Sequence, residues 1–404
     1  EAPSSGPVVR LLSSATATLS GGPKALDQRN LFIAGEVDWT TGLIELANGA
    51  DLEIDSSGVL NTNPAGAPES IFESGTDGAQ LINNGAINKF GPNISGIGDT
   101  VDYFGNGSIT VNLGRFRVYS DGNFGGAYSA LTGELEFSRR PRVFSLSSSF
   151  APGSKFIFGD NSGSSPISIV DSCMAAGSDV VIGDMRLQLN CVLPTSFANL
   201  RMERDFASIS GPSSVIVTTH FEWSAGTLLG SGPENFELAV GATANFAQIA
   251  GPASGRTLWD RSFNNHGTIT WTGHNDTTLR GSTVFDNAGD GTIIVNLIGN
   301  EIGFIPDWNL ITSGSLVNHG LYHVVRADDH YVDVPFINAG TFRVSAGATY
   351  LTQAGTDTGT YDLNGPTAAI RVNGPSAIRT IAAGGNMSGV APGSYLNSIP
   401  AGAL

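Results

Sequence analysis

Lysine is nearly missing from this 404-residue chain: Lys24, Lys89 and Lys155 are all it has. With 20 basic residues against 36 acidic ones the formal net charge is −16, and a field of that sign repels phosphate backbones and anionic lipid surfaces. Nucleic-acid binding is therefore not expected. Membrane insertion is not expected either, because no apolar run approaches the roughly 18 residues of a spanning helix. Charged residues make up only 14% of the chain, and no window of about a dozen residues repeats its apolar positions every 3.6 residues, so amphipathic helices are not expected. Cysteine is scarce too, with Cys173 and Cys191 standing alone. The chain starts at Glu1 with neither an initiator Met nor an apolar leader, which reads as a processed, exported protein, secreted, extracellular or held on a cell surface.

What the chain has instead is glycine, 53 residues of it, among short alternating apolar runs. One unit recurs: "LINNGAIN" (81 to 88), "YFGNGSITVNL" (103 to 113), "FNNHGTITW" (263 to 271), "VFDNAGDGTIIVNL" (284 to 297), "LVNHGLYHV" (316 to 324) and "FINAGTFRV" (336 to 344). Each is an apolar residue, an Asn/Gly turn and an alternating strand. The turn positions are Asn84, Gly85, Asn106, Gly107, Asn265, Gly267, Asn287, Asn318, Gly320, Asn338 and Gly340. Successive turns lie roughly 20 to 29 residues apart, the period of a parallel β-solenoid whose coils carry two or three short strands. In such a stack equivalent residues form columns about 4.8 Å apart. Inward columns want Val, Ile, Leu and Phe, Gly and Asn take the corners, and repeated asparagines would pair their amides from coil to coil.

A longer duplication is visible. "VDWTTGLIELANGADLEI" (37 to 54) precedes the first pair of Asn/Gly units, as "FEWSAGTLLGSG" (221 to 232) and "LAVGATANF" (238 to 246) precede the second. Between 221 and 297 the arrangement Trp223-x-x-Gly226, Gly230-x-Gly232, Gly241-Ala242-Thr243, Asn265-His266-Gly267, Trp271-x-Gly273 and Phe285-x-Asn287-x-Gly289 resembles the repeats of secreted right-handed parallel β-helix surface proteins, adhesin-like or matrix-like, with a pectin-lyase-like fold. That resemblance implies an all-β right-handed parallel β-helix, export, and no fixed enzymatic activity. The expected organisation is an N-terminal cap or assembly arm (1–34), a first coil module (35–119), irregular coils with loops (120–215), a second module (216–300), and C-terminal coils and tail (301–404). An 18-residue separation is close to one short coil, which would set Cys173 and Cys191 on adjacent coils at bonding distance. An exported setting favours the disulfide over two buried thiols.

Candidate chemistry is sparse. "RADDHYVDV" (326 to 334) gathers Arg326, Asp328, Asp329 and His330, with Asp333 close by. Converging carboxylates and a basic group would suit a polysaccharide lyase or hydrolase, and a polar loop entering a strand explains the same residues. His319 and His323, four apart, could join His330 around a metal, although His266 and His319 both precede a turn glycine and so belong to the repeat. Trp39, Trp223 and Trp271 each precede a turn, where core packing is the ordinary role; exposed in a row they would make a sugar-stacking face. "GDNSGSS" (159 to 165) and "DNAGDG" (286 to 291) could take calcium adventitiously, and no cofactor is expected. Thr-x-Thr columns of the ice-binding type are not sustained, the "TIT" of 268 to 270 lacking clear partners. Asn93, Asn106, Asn275 and Asn386 head glycosylation sequons that would be used in a eukaryote. The expected function is a non-enzymatic structural or adhesive β-solenoid that self-associates into an appendage, sheath or filament. A carbohydrate-active enzyme or a binder of cell-surface polysaccharide is the alternative.

Overall fold

The computed structural model describes residues 7–63, 70–74, 78–159, 166–232, 234–247, 255–272, 276–296, 302–306, 314–326, 329–373, 377–382, 385–388 and 395–398. It is all-β, with parallel strands stacked in a β-solenoid of about 15 turns. The chain divides into two compact units, Glu1–Ser196 and Phe197–Leu404. In each, a full coil has three sides: side one ends at the Asn/Gly corner, side two follows it, and side three closes the coil.

In the first unit the coil of 80–97 shows how the sequence produces this. Gln80–Asn83, Ala86–Lys89 and Ile94–Ile97 are four-residue strands, and in the first two every second residue is buried. Alternation sends those side chains to the interior, while Gly85 and Gly91 mark the bends. Stacking then aligns like with like: Leu31 pairs with Leu52, Leu52 with Leu81, and Leu81 with Tyr103. Coils vary from 19 residues (Tyr103 to Gly122) to 29 (Leu52 to Leu81) here. In the second unit they run from 19 (Ser208 to Thr227) to 31 (Val284 to Ser315). The surplus leaves as loops between strands.

Two segments set apart in the sequence take the following form. The expected arm or cap of 1–34 is, from residue 7 onward, ordinary coil: Val8–Leu11 pairs with Asn30–Ile33, and Thr16–Leu19 with Glu36–Trp39. The stretch 120–215, read as irregular, keeps the parallel stack, since Gly122–Phe124, Arg142–Phe144, Ile167–Val170 and Arg186–Leu189 follow one another on side one. What changes is the inner corner. Phe124 and Phe144 continue the column that holds Asn83 and Gly105, with ring centroids 5.2 Å apart, so phenyl packing replaces the asparagine and the Asn/Gly beat is lost. Side two ends at Ser149–Phe150, the last of seven strands.

In the second unit Val215–Trp223 runs through sides one and two without a break, pairing first with Asn235–Leu238 and then with Thr243–Phe246. From there the three-sided coil resumes, as in Ser262–Asn265, Thr268–Trp271 and Thr277–Arg280. Trp223, Phe236, Phe263 and Phe285 fill its interior, with Phe263 and Phe285 stacked at 4.6 Å.

Candidate functional site

The repeated asparagines form the most regular polar feature of the second unit. Asn265, Asn287, Asn318 and Asn338 each end a side-one strand and are fully buried. Asn265 Nδ2 donates to Asn287 Oδ1 (2.7 Å), Asn287 Nδ2 to Asn318 Oδ1 (2.7 Å), and Asn318 Nδ2 to Asn338 Oδ1 (2.8 Å). The second amide hydrogen of each reaches a side-two carbonyl one coil further on, as in Asn287 Nδ2 to Leu321 O at 3.1 Å. These residues are therefore the last inward rung before the turn, and the turn itself is made by His266, Ala288, His319 and Ala339 with the glycines that follow. In the first unit the buried rung is Asn83, not its exposed neighbour Asn84. The next rung there is Gly105, and the Tyr103 hydroxyl takes its place, 3.0 Å from Asn83 Nδ2. Asn106 is exposed and the following Gly107 N donates to Asn83 O at 2.8 Å.

The ladder stops at a buried ion pair. Asp357, fully buried, accepts from the Asn338 backbone N–H (2.8 Å), from Tyr361 OH (2.8 Å) and from Arg379 Nε (3.0 Å), while Arg379 Nη1 holds Phe336 O at 2.7 Å. Burial raises the Tyr361 phenol, so it stays a proton donor to the carboxylate. Other buried cations fasten corners. Arg261 donates to Leu229 O, Ser213 O and Gly211 O, at 3.1, 3.2 and 2.7 Å. Arg256 lies 4.9 Å over the Trp271 ring. Burial brings these guanidinium groups down to about 10 and about 9, which leaves both charged at neutral pH. The Lys89 ammonium, also lowered by burial, caps Gly91 O.

Of the four candidate residues in the loop of 326 to 334, the described pair does not converge. Asp329 and His330 are consecutive residues of the strand Asp329–Val332 and point to opposite faces. His330 is buried, with Nε2 2.7 Å from Tyr322 OH. Asp333 accepts from the Thr352 hydroxyl. Arg326 ends a strand but its side chain, like all of Asp328, lies outside the described residues. The histidines go separate ways: His319 to Asp286 (2.9 Å), His266 to Asp290 (2.8 Å) and His323 to Ser345 Oγ (2.8 Å). Among the described residues no group of three or more His, Cys, Asp or Glu is placed to hold a metal. Asp286 and Asp290, the carboxylates of "DNAGDG", thus face histidines; the acidic part of "GDNSGSS" lies outside the described residues.

Trp39, Trp223 and Trp271 are at most 1% exposed, which removes them from any sugar-stacking face. Cys173 and Cys191 form a disulfide, Cα atoms 5.0 Å apart. Asn93, Asn106 and Asn386 are exposed, and Asn275 lies outside the described residues. One reading of the strands is overturned: "TIT" does have partners, since Thr268 stacks between Thr243 and Thr292. The companion column, Thr270, Ile294, His323, Arg343 and Asp362, is chemically mixed and holds the Arg343–Asp362 ion pair (2.7 Å). It lacks the repeated hydroxyls of a regular hydration surface.

Sequence reasoning missed a carboxyl pair in the first unit. Asp102 and Asp121 stand one coil apart, half-buried and hydrogen-bonded to each other, with Glu73 and Arg140 near. Burial, then the Asp121 contact, pushes Asp102 up to about 6. Phe104, two residues on and therefore on the same face, is 36% exposed. Nineteen positions separate the two acids, so only coil register brings them together. No protein-family model matches the chain, and no curated protein is similar to it in sequence.

Proposed function

We propose that this chain is a non-enzymatic, exported structural or adhesive β-solenoid that self-associates to build a surface appendage, sheath or filament. The observation that carries this reading is how the repeat uses its chemistry. The asparagines, the three repeat tryptophans and the buried arginines are spent on holding coil to coil, and backbone pairing continues through each stack, which makes it stiff along its axis. The disulfide suits an oxidising compartment, and among the described residues no helix is long and apolar enough to cross a membrane. Negative-stain electron microscopy of the native material tests the reading: ordered filaments or sheets are expected, and dispersed single particles at every concentration would sink it.

A second reading rests on Asp102 and Asp121. A half-buried carboxyl that keeps its proton to about pH 6 beside a second carboxyl is equipped to act as a general acid toward a polysaccharide. Incubating the protein with a polysaccharide panel decides this. Cleavage that disappears in Asp102→Asn favours the enzyme, and an unchanged panel removes it.

A further inference from the structure

One edge of the first unit is apolar along six successive coils. At the corner that leads into side three, the coils present Phe90, Leu113, Leu131, Pro152, Ala176 and Leu193 in turn, all exposed. Leu131 is 65% exposed and Leu193 63%. Leu131 Cδ2 lies 3.9 Å from the Cβ position of Gly153, on the next coil, so the row is continuous there. The last coil is pinned: Cys191, bonded to Cys173, directly precedes the exposed Val192 and Leu193. A row of apolar side chains at about 4.8 Å spacing is not required by the coil, whose corner into side two carries Gly, Ser, Asn and Asp with exposed leucines only at Leu12 and Leu146 among the described residues.

Beside this edge runs a column of alternating charge on side three. Arg115 pairs in register with Glu134, Lys155 Nζ lies 2.5 Å from Glu134 Oε1, and Lys155 is in register with Asp179. Four rungs reading plus, minus, plus, minus are their own complement when a second copy lies antiparallel. Arg115 then faces the second copy's Asp179, and Glu134 its Lys155. A parallel copy in register would set like charge against like. The same two-fold axis, midway between the Glu134 and Lys155 rungs, brings the apolar edge onto itself, with Phe90 against Leu193, Leu113 against Ala176, and Leu131 against Pro152.

We propose that this edge is the surface on which two copies of the chain associate side by side, antiparallel and isologous, with the apolar row at the centre and the charge column as the element that sets direction. The inference rests on the self-association reading above and specifies its contact. Sedimentation velocity of the full chain against the double variant Leu131→Asp, Leu193→Asp tests it. Both positions are exposed, so the variant should fold, which far-UV circular dichroism checks. Association in the variant is expected to weaken by at least about tenfold. A short bis-maleimide should link Phe90→Cys chains to Leu193→Cys chains in a mixture, and Phe90→Cys chains to one another not at all. Wild-type assembly that survives the double substitution, or Phe90→Cys linking to itself, overturns the edge while leaving self-association standing. A wild-type chain that stays monomeric at its highest soluble concentration overturns both.

Discussion

The asparagine ladder makes single residues measurable. Asn287→Ala removes one rung and strands one Asn265 amide hydrogen, the other still reaching Thr292 O, and the Asn318 side-chain oxygen in the interior. Two buried polar groups without partners cost about 2–4 kcal/mol together, and urea denaturation should show that loss. The exposed Asn84→Ala, at what the sequence presents as an equivalent turn, should stay within about 0.5 kcal/mol of wild type. Acidity gives a second test. Asp102 keeps its proton in the folded chain up to about 6, against an ordinary value of 3.8, so between those values the folded state binds more protons than the unfolded one. The stability it contributes is fully present below the ordinary value and is lost as pH rises through about 6. A carboxyl NMR titration should find that midpoint, and Asp121→Asn should lower it without restoring 3.8, because burial is the larger cause.

At the scale of the strand and its corner, the sequence carried the fold further than it carried the site. Alternation, the Asn/Gly beat and the 20-to-29-residue spacing suffice to define parallel coils, because a coil must turn and return within that length. Phase is what they leave open. Whether Asn83 or Asn84 enters the core depends on register, and a one-residue slip exchanges every inward and outward residue. Nearness along the chain misleads for the same reason: Asp329 and His330 are adjacent and face apart, whereas Asp102 and Asp121 are a coil apart and meet. Corner glycines show the steric side of this. A Cβ on Gly320 would lie 2.2 Å from Gly291 O and 2.3 Å from Ala288 O, while one on Gly289 would meet nothing within 4 Å. Gly320→Ala is therefore expected to cost about 1–3 kcal/mol by overpacking, and Gly289→Ala to be neutral or slightly stabilising. Paired thermal melts separate the two.

For the molecule as a whole, the division into Glu1–Ser196 and Phe197–Leu404 means that one unfolding temperature need not describe it. The Cys173–Cys191 bond lies within the first unit and closes a separation of 18 residues. Replacing both cysteines by serine should cost that unit about 3 kcal/mol; calorimetry should show its transition falling while that of the second unit holds. The ladder in the second unit has a further consequence. Every side-chain amide donates toward the coil of higher number, and the series ends at Asn338, whose Nδ2 reaches Thr360 O while its backbone N–H donates to Asp357. The side-chain dipoles therefore add, giving the stack an electrical direction whose positive end lies at Asn338. Lengthening is constrained accordingly: an extra coil bearing asparagine can be spliced anywhere between Asn265 and Asn338 and pass the chain of donors along, whereas the coil after Asn338 carries Asp357, which has no amide hydrogen to hand on.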